Sequence, residues 1–214
     1  GLKRGGIEQV AHDLANAWVD RGHAVTVFTY DHRPPAARYE VAPLPWRRFV
    51  LSWLGRRVTM GYLGNILALV PRYRGFDVIV AHGDSLLLPL LGRPVVRIMH
   101  GSAFEEARTA TSVSRAVLQY GVYLQELLTA WWLPSTVGVS ENTVRSNRFV
   151  RHVIPNGVDR SVFSPDESQR SARPSVLFVG ALGGRKRGAW LLEAFQREIR
   201  PRWRDAELHM VTAA

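Results

Sequence analysis

Nine residues between an apolar run and a helical one, Gly180-Ala181-Leu182-Gly183-Gly184-Arg185-Lys186-Arg187-Gly188, combine backbone freedom with three cations. That mixture suits a diphosphate. Backbone N–H groups and a helix dipole would meet the anion from one side, and ammonium and guanidinium donors from the other. The alternative is a solvated basic turn, although three like charges placed together repel one another unless an anion joins them. The loop is not a P-loop, because the G-x-x-x-x-G-K-[ST] spacing is absent. No G-x-G-x-x-G occurs either, which disfavours a dinucleotide-dependent oxidoreductase.

Four further places carry residues of the right kind. Gly5 and Gly6 precede a helical pattern, so the backbone can approach a ligand at a helix N-terminus, or simply turn. His100-Gly101 follows the strand-like VVRIMH, and His82-Gly83 follows DVIVAH. A histidine at a strand's carboxyl end can bond a polar ligand, or it can be structural. Ser140-Glu141 after TVGV reads first as a helix cap. Asn156-Gly157-Val158-Asp159 reads as a ligand contact or as a tight turn, since Asn-Gly tolerates positive φ.

These residues need a scaffold that gathers strand ends. Ile7, Val10, Ala11, Leu14 and Trp18 fall at helical spacing, and Gly22 sits where a left-handed cap belongs. Strands are expected at 24–30, 77–82, 95–100, 136–140 and 152–155, with a short helix in SLLLPLLG and another in ENTVRSNR. A long helix is expected over 112–133, with Val113, Val117, Tyr120, Leu124, Leu127, Leu128 and Trp131 as its apolar side and Pro134 as its stop. After the proline-broken stretch 155–174, the pattern restarts as SVLFVG, the glycine loop, GAWLLEAFQREI and AELHMVT. Alternating strands and helices predict an α/β protein with doubly wound parallel sheets. In such sheets, ligands gather at the carboxyl ends of the strands.

Composition narrows the classes. The 214 residues are 46% hydrophobic, enough for a buried core. There is no cysteine, which excludes a disulfide framework and a thiolate metal site and hints at a reducing compartment. Net charge is +10, and only Lys3 and Lys186 among the basic residues are lysines. A solvated arginine surface accounts for most of that charge. No nucleic-acid recognition module is visible, so nucleic acid is not an expected partner. The longest uncharged runs, 58–71 and 127–140, are too short to span a bilayer. PWRRFVLSWLGRR (45–57) mixes Phe49, Val50, Trp53 and Leu54 with four arginines. It is either an interfacial membrane contact or a helix packed on the sheet with a basic edge.

Taken in order, GGIEQVAHDLANAWVDRGHAVTVFT, VVRIMHG, VGVSENT, VIPNGVDRSVFSP and VLFVGALGGRKRGAWLLEAF resemble the retaining glycosyltransferases of family 4. The resemblance implies a GT-B fold. Residues 1–158 would form an acceptor-side Rossmann-like domain, 159–174 a linker, and 175–214 the first β-α-β of a second Rossmann-like domain. It also implies that Gly5 and Gly6 lie near the donor phosphates, that His100 contacts the sugar, and that Lys186 binds the diphosphate. Gly180, Arg185 and Asn156 belong to the same donor-binding set. No metal and no cofactor are implied, the nucleotide-diphosphate sugar being a substrate.

Two departures stand out. Family members usually carry an arginine directly after the glycine of FVG, where this chain has Ala181. Their pair of glutamates seven residues apart would lie beyond Ala214. The chain reads as cut at both ends, so this piece alone is expected to be inactive. The expected activity of the whole is sugar transfer from a nucleotide-diphosphate sugar to a glycan or lipid acceptor. The expected location is the cytoplasm, with the option of a peripheral contact at the inner face of the membrane. A non-catalytic binding or scaffold subunit and a related sugar-nucleotide enzyme such as an epimerase remain alternatives.

Overall fold

The computed structural model describes residues 5–29, 32–44, 75–83, 85–110, 112–183 and 186–212. They belong to two compact units, Gly1–Gly157 and Val158–Ala214. The segment 45–57 lies outside the described residues.

The first unit opens with helix α1, Gly6–Asp20. It ends as its sequence predicts. Gly22 is left-handed at φ 86°, His23 N–H donates to the Trp18 carbonyl at 3.1 Å, and Gly22 N–H donates to Val19 at 2.9 Å. This double bond satisfies two carbonyls that the helix end would otherwise strand. Ala15 of α1 packs with Ala37 and Tyr39, and Val19, Val25, Val27 and Val41 close around them. Polar pins hold the same contact. The His12 ring bonds the Tyr39 hydroxyl at 2.9 Å, and Asn16 accepts from the Arg38 backbone at 3.0 Å.

Strands β1 (Thr26–Thr29) and β2 (Glu40–Pro43) pair in parallel. Strands β3 (Ile79–His82), β4 (Val95–Met99), β5 (Thr136–Gly138) and β6 (His152–Val153) form a second sheet in that order, all parallel. Ile79 stands opposite Val95, Arg97 opposite Thr136, and Val137 opposite His152. The expected α/β alternation with parallel sheets is therefore present. Strand ends fall short of the sequence estimate by a residue or two, because the last apolar residues leave the ladder to enter turns. Leu88–Leu91 forms the short helix expected in SLLLPLLG, as a single tight turn closed by left-handed Gly92.

Helix α2, Ala103–Arg108, was not anticipated. Ser102 caps it by accepting from Phe104 N–H at 3.2 Å. Helix α3, Val113–Trp132, matches the long helix, with Ser112 as its cap. Its apolar stripe is not its buried face. The apolar side faces outward: Val113 is 81% exposed, Val117 66%, Leu124 59% and Trp131 68%. The side against the sheet is Gln125, Thr129 and Ala130. Small size explains the choice. Ala130 packs on Met99 and Val150, which a larger side chain would push away. The Glu126 carbonyl accepts from both Arg97 and Asn147, at 3.2 and 3.1 Å, so hydrogen bonds join this packing in fastening the helix.

Helix α4, Glu141–Arg145, follows β5 closely. A β-carbon on Gly138 would stand 2.9 Å from Val144 Cγ2 and 3.3 Å from Thr143 Cβ, so the close approach needs glycine.

In the second unit, β7 (Ser175–Val179) leads through helix α5 (Gly188–Ala194) and a π-helical turn (Phe195–Ile199) to the parallel strand β8 (Glu207–Val211). This is the β-α-β expected from SVLFVG onward. One face of the pair is half-buried through Val176, Phe178, Leu208 and Met210. Leu177, Val179 and Val211 lie exposed on the other. Among the described residues, no helix is long and apolar enough to cross a membrane.

Candidate functional site

Parallel pairing places the carboxyl ends of β3 and β4 side by side; β3 ends at His82, and His100 directly follows β4. His82 Nδ1 lies 2.9 Å from His100 Nε2. The rings are nearly parallel, 18° apart, with centroids 5.2 Å apart. Both are partly buried. Burial, and then repulsion from His100, lowers the pKa of His82 to about 4. Burial also lowers that of His100, while the carboxylate of Glu8 on α1 pulls the other way. At neutral pH the pair is therefore uncharged, and one proton bridges the two nitrogens.

The carboxylate of Glu8, in the first turn of α1, acts electrostatically on His100. Gly5 is the extended residue before the helix and Gly6 its first member. A β-carbon at Gly5 would collide with Glu8 Oε2, so the Glu8 carboxylate folds back over the helix start. At Gly6 a β-carbon would meet nothing within 4 Å.

Two further devices hold the backbone that follows each histidine. After His82, Gly83 takes φ 116°, a conformation that strains any side chain. Its carbonyl accepts from Nε of Arg97 at 3.0 Å, and Arg97 is only 1% exposed. After His100, the loop is fixed by Ser102 and by Glu126, whose carboxylate accepts from Ala103 N–H at 3.1 Å. Glu126 is an acidic group at the start of α2, where the helix dipole favours it.

The remaining sequence candidates separate. Ser140 is a cap, accepting from Thr143 N–H at 3.2 Å. Asn156 and Gly157 are exposed, and neither has positive φ, which corrects the tight-turn reading. The chain turns instead at Asp159, whose carboxylate accepts from the Ser161 N–H at 2.9 Å and hydroxyl at 2.6 Å. The Asp159 backbone carbonyl also accepts from Phe163 N–H at 2.8 Å. Asp-x-Ser bonding, rather than positive φ at Asn-Gly, makes this turn.

In the second unit, Gly180 N–H continues the ladder to Val211 at 3.0 Å. A β-carbon at Gly180 would lie 3.3 Å from Lys186 Cγ, so the lysine stem crosses that glycine. Gly188 has Phe178 ring atoms 2.8 and 2.9 Å from where its β-carbon would be, and admits no side chain. Arg187 is left-handed at φ 54°, with its guanidinium 5.0 Å from the Trp190 ring centre. Lys186 and Ala181 are exposed. Arg185 lies outside the described residues.

The family model for Glycosyltransferase Family 4 matches residues 4–162. The chain belongs to glycosyltransferase family 4. The matched span holds Gly5, Gly6, Glu8, His82, His100 and Asn156, and ends before the Gly180–Gly188 loop. No curated protein matches the chain. Among solved structures, Arabidopsis thaliana UGT89C1 complexed with UDP-L-rhamnose is similar at a TM-score of 0.47 and 14% identity, over 96% of this chain and 66% of that one. The chain thus spans less than two thirds of that structure's length.

Within this family 4 chain, sequence reasoning passed over Glu8, Arg97 and Glu126. Arg97 carried a usable signal, being a charge inside the apolar VVRIM. Glu8 carried a weaker one, as an acid in the first turn after two glycines. Nothing local marks Glu126.

Proposed function

We propose that the intact protein is a retaining glycosyltransferase of GT-B architecture that moves a sugar from a nucleotide diphosphate to a glycan or lipid acceptor. The observation that carries this reading is the contact of His82 with His100 at adjoining strand ends, in a chain of glycosyltransferase family 4. His100 holds a hydroxyl of the donor sugar. The N–H groups at Gly5 and Gly6 face the anionic part of the donor. Lys186 in the second unit balances charge on the diphosphate as the bond from sugar C1 to phosphate oxygen breaks. A new bond forms from C1 to the acceptor oxygen on the same face, and the acceptor proton leaves with the nucleoside diphosphate.

The test uses the full-length protein with UDP- and GDP-sugars and with glycan and lipid acceptors. Transfer with retained anomeric configuration is expected. Lys186→Ala should lower turnover by about 100-fold or more, as loss of a transition-state charge partner does. Near-normal turnover would remove that role. Ala181, where relatives have arginine, favours a second reading, a binding subunit without donor chemistry. Calorimetry separates the two, since a binding subunit of that kind takes up no nucleotide sugar. If the acceptor is a lipid, segment 45–57 is the proposed contact with an anionic membrane, and vesicle flotation with and without its four arginines tests it.

A further inference from the structure

We propose that His82 is a positioning residue for His100: it donates from Nδ1 to Nε2 of His100, fixing His100 as the Nδ1–H tautomer and offering that N–H to a ligand hydroxyl. The ligand part of this inference rests on the reading of His100 given above; the tautomer part does not.

The geometry carries it. Only one proton fits between two ring nitrogens 2.9 Å apart, so one ring donates and the other accepts. The rings lie 18° from parallel, which lets the shared proton lie close to the plane of both. The backbone beside each ring is held. His82 is anchored through Gly83, whose carbonyl is tied to the buried Arg97. His100 is anchored through the Ser102 and Glu126 bonds that start α2.

Among the described residues, His82 from β3 and Glu8 from α1 act on His100. The Glu8 carboxylate partly offsets the effect of burial on His100. With Nε2 engaged as the acceptor, the one proton of a neutral His100 ring sits on Nδ1. A neutral imidazole in water would not be held to this tautomer, so the bond from the neighbouring ring sets which nitrogen a ligand meets.

The experiment is long-range 1H–15N correlation of the histidine rings in the full-length protein at neutral pH, for wild type, His82→Leu and His82→Asn. The Asn amide nitrogen can stand in for Nδ1 as a donor. Wild type and His82→Asn should show His100 protonated at Nδ1 and bare at Nε2. His82→Leu should lose that state and raise the apparent pKa of His100, with kcat/KM lower by on the order of 10- to 100-fold. His82→Asn should recover most of that loss. An unchanged His100 tautomer and titration in His82→Leu would overturn the proposal. If His82→Leu does not fold, an Nε2–H tautomer in wild type or in His82→Asn overturns it equally. Full turnover in His100→Ala would remove the ligand role of His100 and leave the tautomer result standing, so the two failures are distinguishable.

Discussion

Protonating His82 is harder in the folded chain than in the unfolded one, and that difference is a stability term. Its folded pKa is about 4 against 6.5 for a free histidine. Between those values the unfolded state binds more protons, so stability falls as pH drops. The contribution is complete above about pH 6.5, is lost progressively down to about pH 4, and changes no further below that. Urea unfolding at several pH values from 7.5 to 4 should show this slope, and His82→Asn should flatten it. Asp159 and Asp166 act in another window. Serine hydroxyl and backbone bonds depress their pKa below 3.8, so their effect is present above that pH and lost beneath it. A second prediction concerns Gly138. An alanine there must displace Val144 or Thr143, and Gly138→Ala should cost about 1–3 kcal/mol in urea unfolding. At this scale the sequence showed both histidines, because each follows directly on an apolar run. It did not show that they touch. That depends on β3 and β4 being neighbours, which no local pattern states.

Helix α3 shows what periodicity can and cannot say. The spacing of Val113, Val117, Tyr120, Leu124 and Trp131 set the helix and nearly its ends. An apolar stripe ordinarily marks the buried face, and here it does not. The helix turns Gln125, Thr129 and Ala130 to the sheet because small side chains let the backbones close up and because Arg97 and Asn147 reach its carbonyl. Charged substitutions on the outer stripe should therefore be cheap. Leu124→Lys should shift stability by no more than about 0.5 kcal/mol. Ala130→Leu should cost about 1–3 kcal/mol by overfilling the contact with Met99 and Val150. Thermal unfolding of both variants checks the pair, and the reverse order would mean the outer stripe is covered. Helix α2 was legible in principle. Ser102-Ala103-Phe104-Glu105 is a Ser-x-x-Glu start signal, but the helix is too short to show a period.

At the scale of the molecule, the compact units meet in sequence at Gly157 and Val158. The segment that follows is exposed throughout, and its arginines 160 and 170 lie on its surface. Brief trypsin treatment should cut at Arg160 or Arg170 before any site inside the β3–β6 sheet, as mass spectrometry of the first fragments would show. Initial cutting within β4 at Arg97 would contradict the burial described. Every described strand pair is parallel, from Thr26 with Glu40 to Ser175 with Glu207. A parallel pair cannot be closed by a hairpin; it must wait for a crossover. As the chain leaves the ribosome, β7 emerges with Leu177 and Val179 bare and no strand beside it. Its partner arrives only when residues 207–211 have been made, on the order of seconds later at ordinary elongation rates. During that interval the nascent chain offers a sticky strand to whatever is nearby, and a holding chaperone has its clearest opportunity to bind.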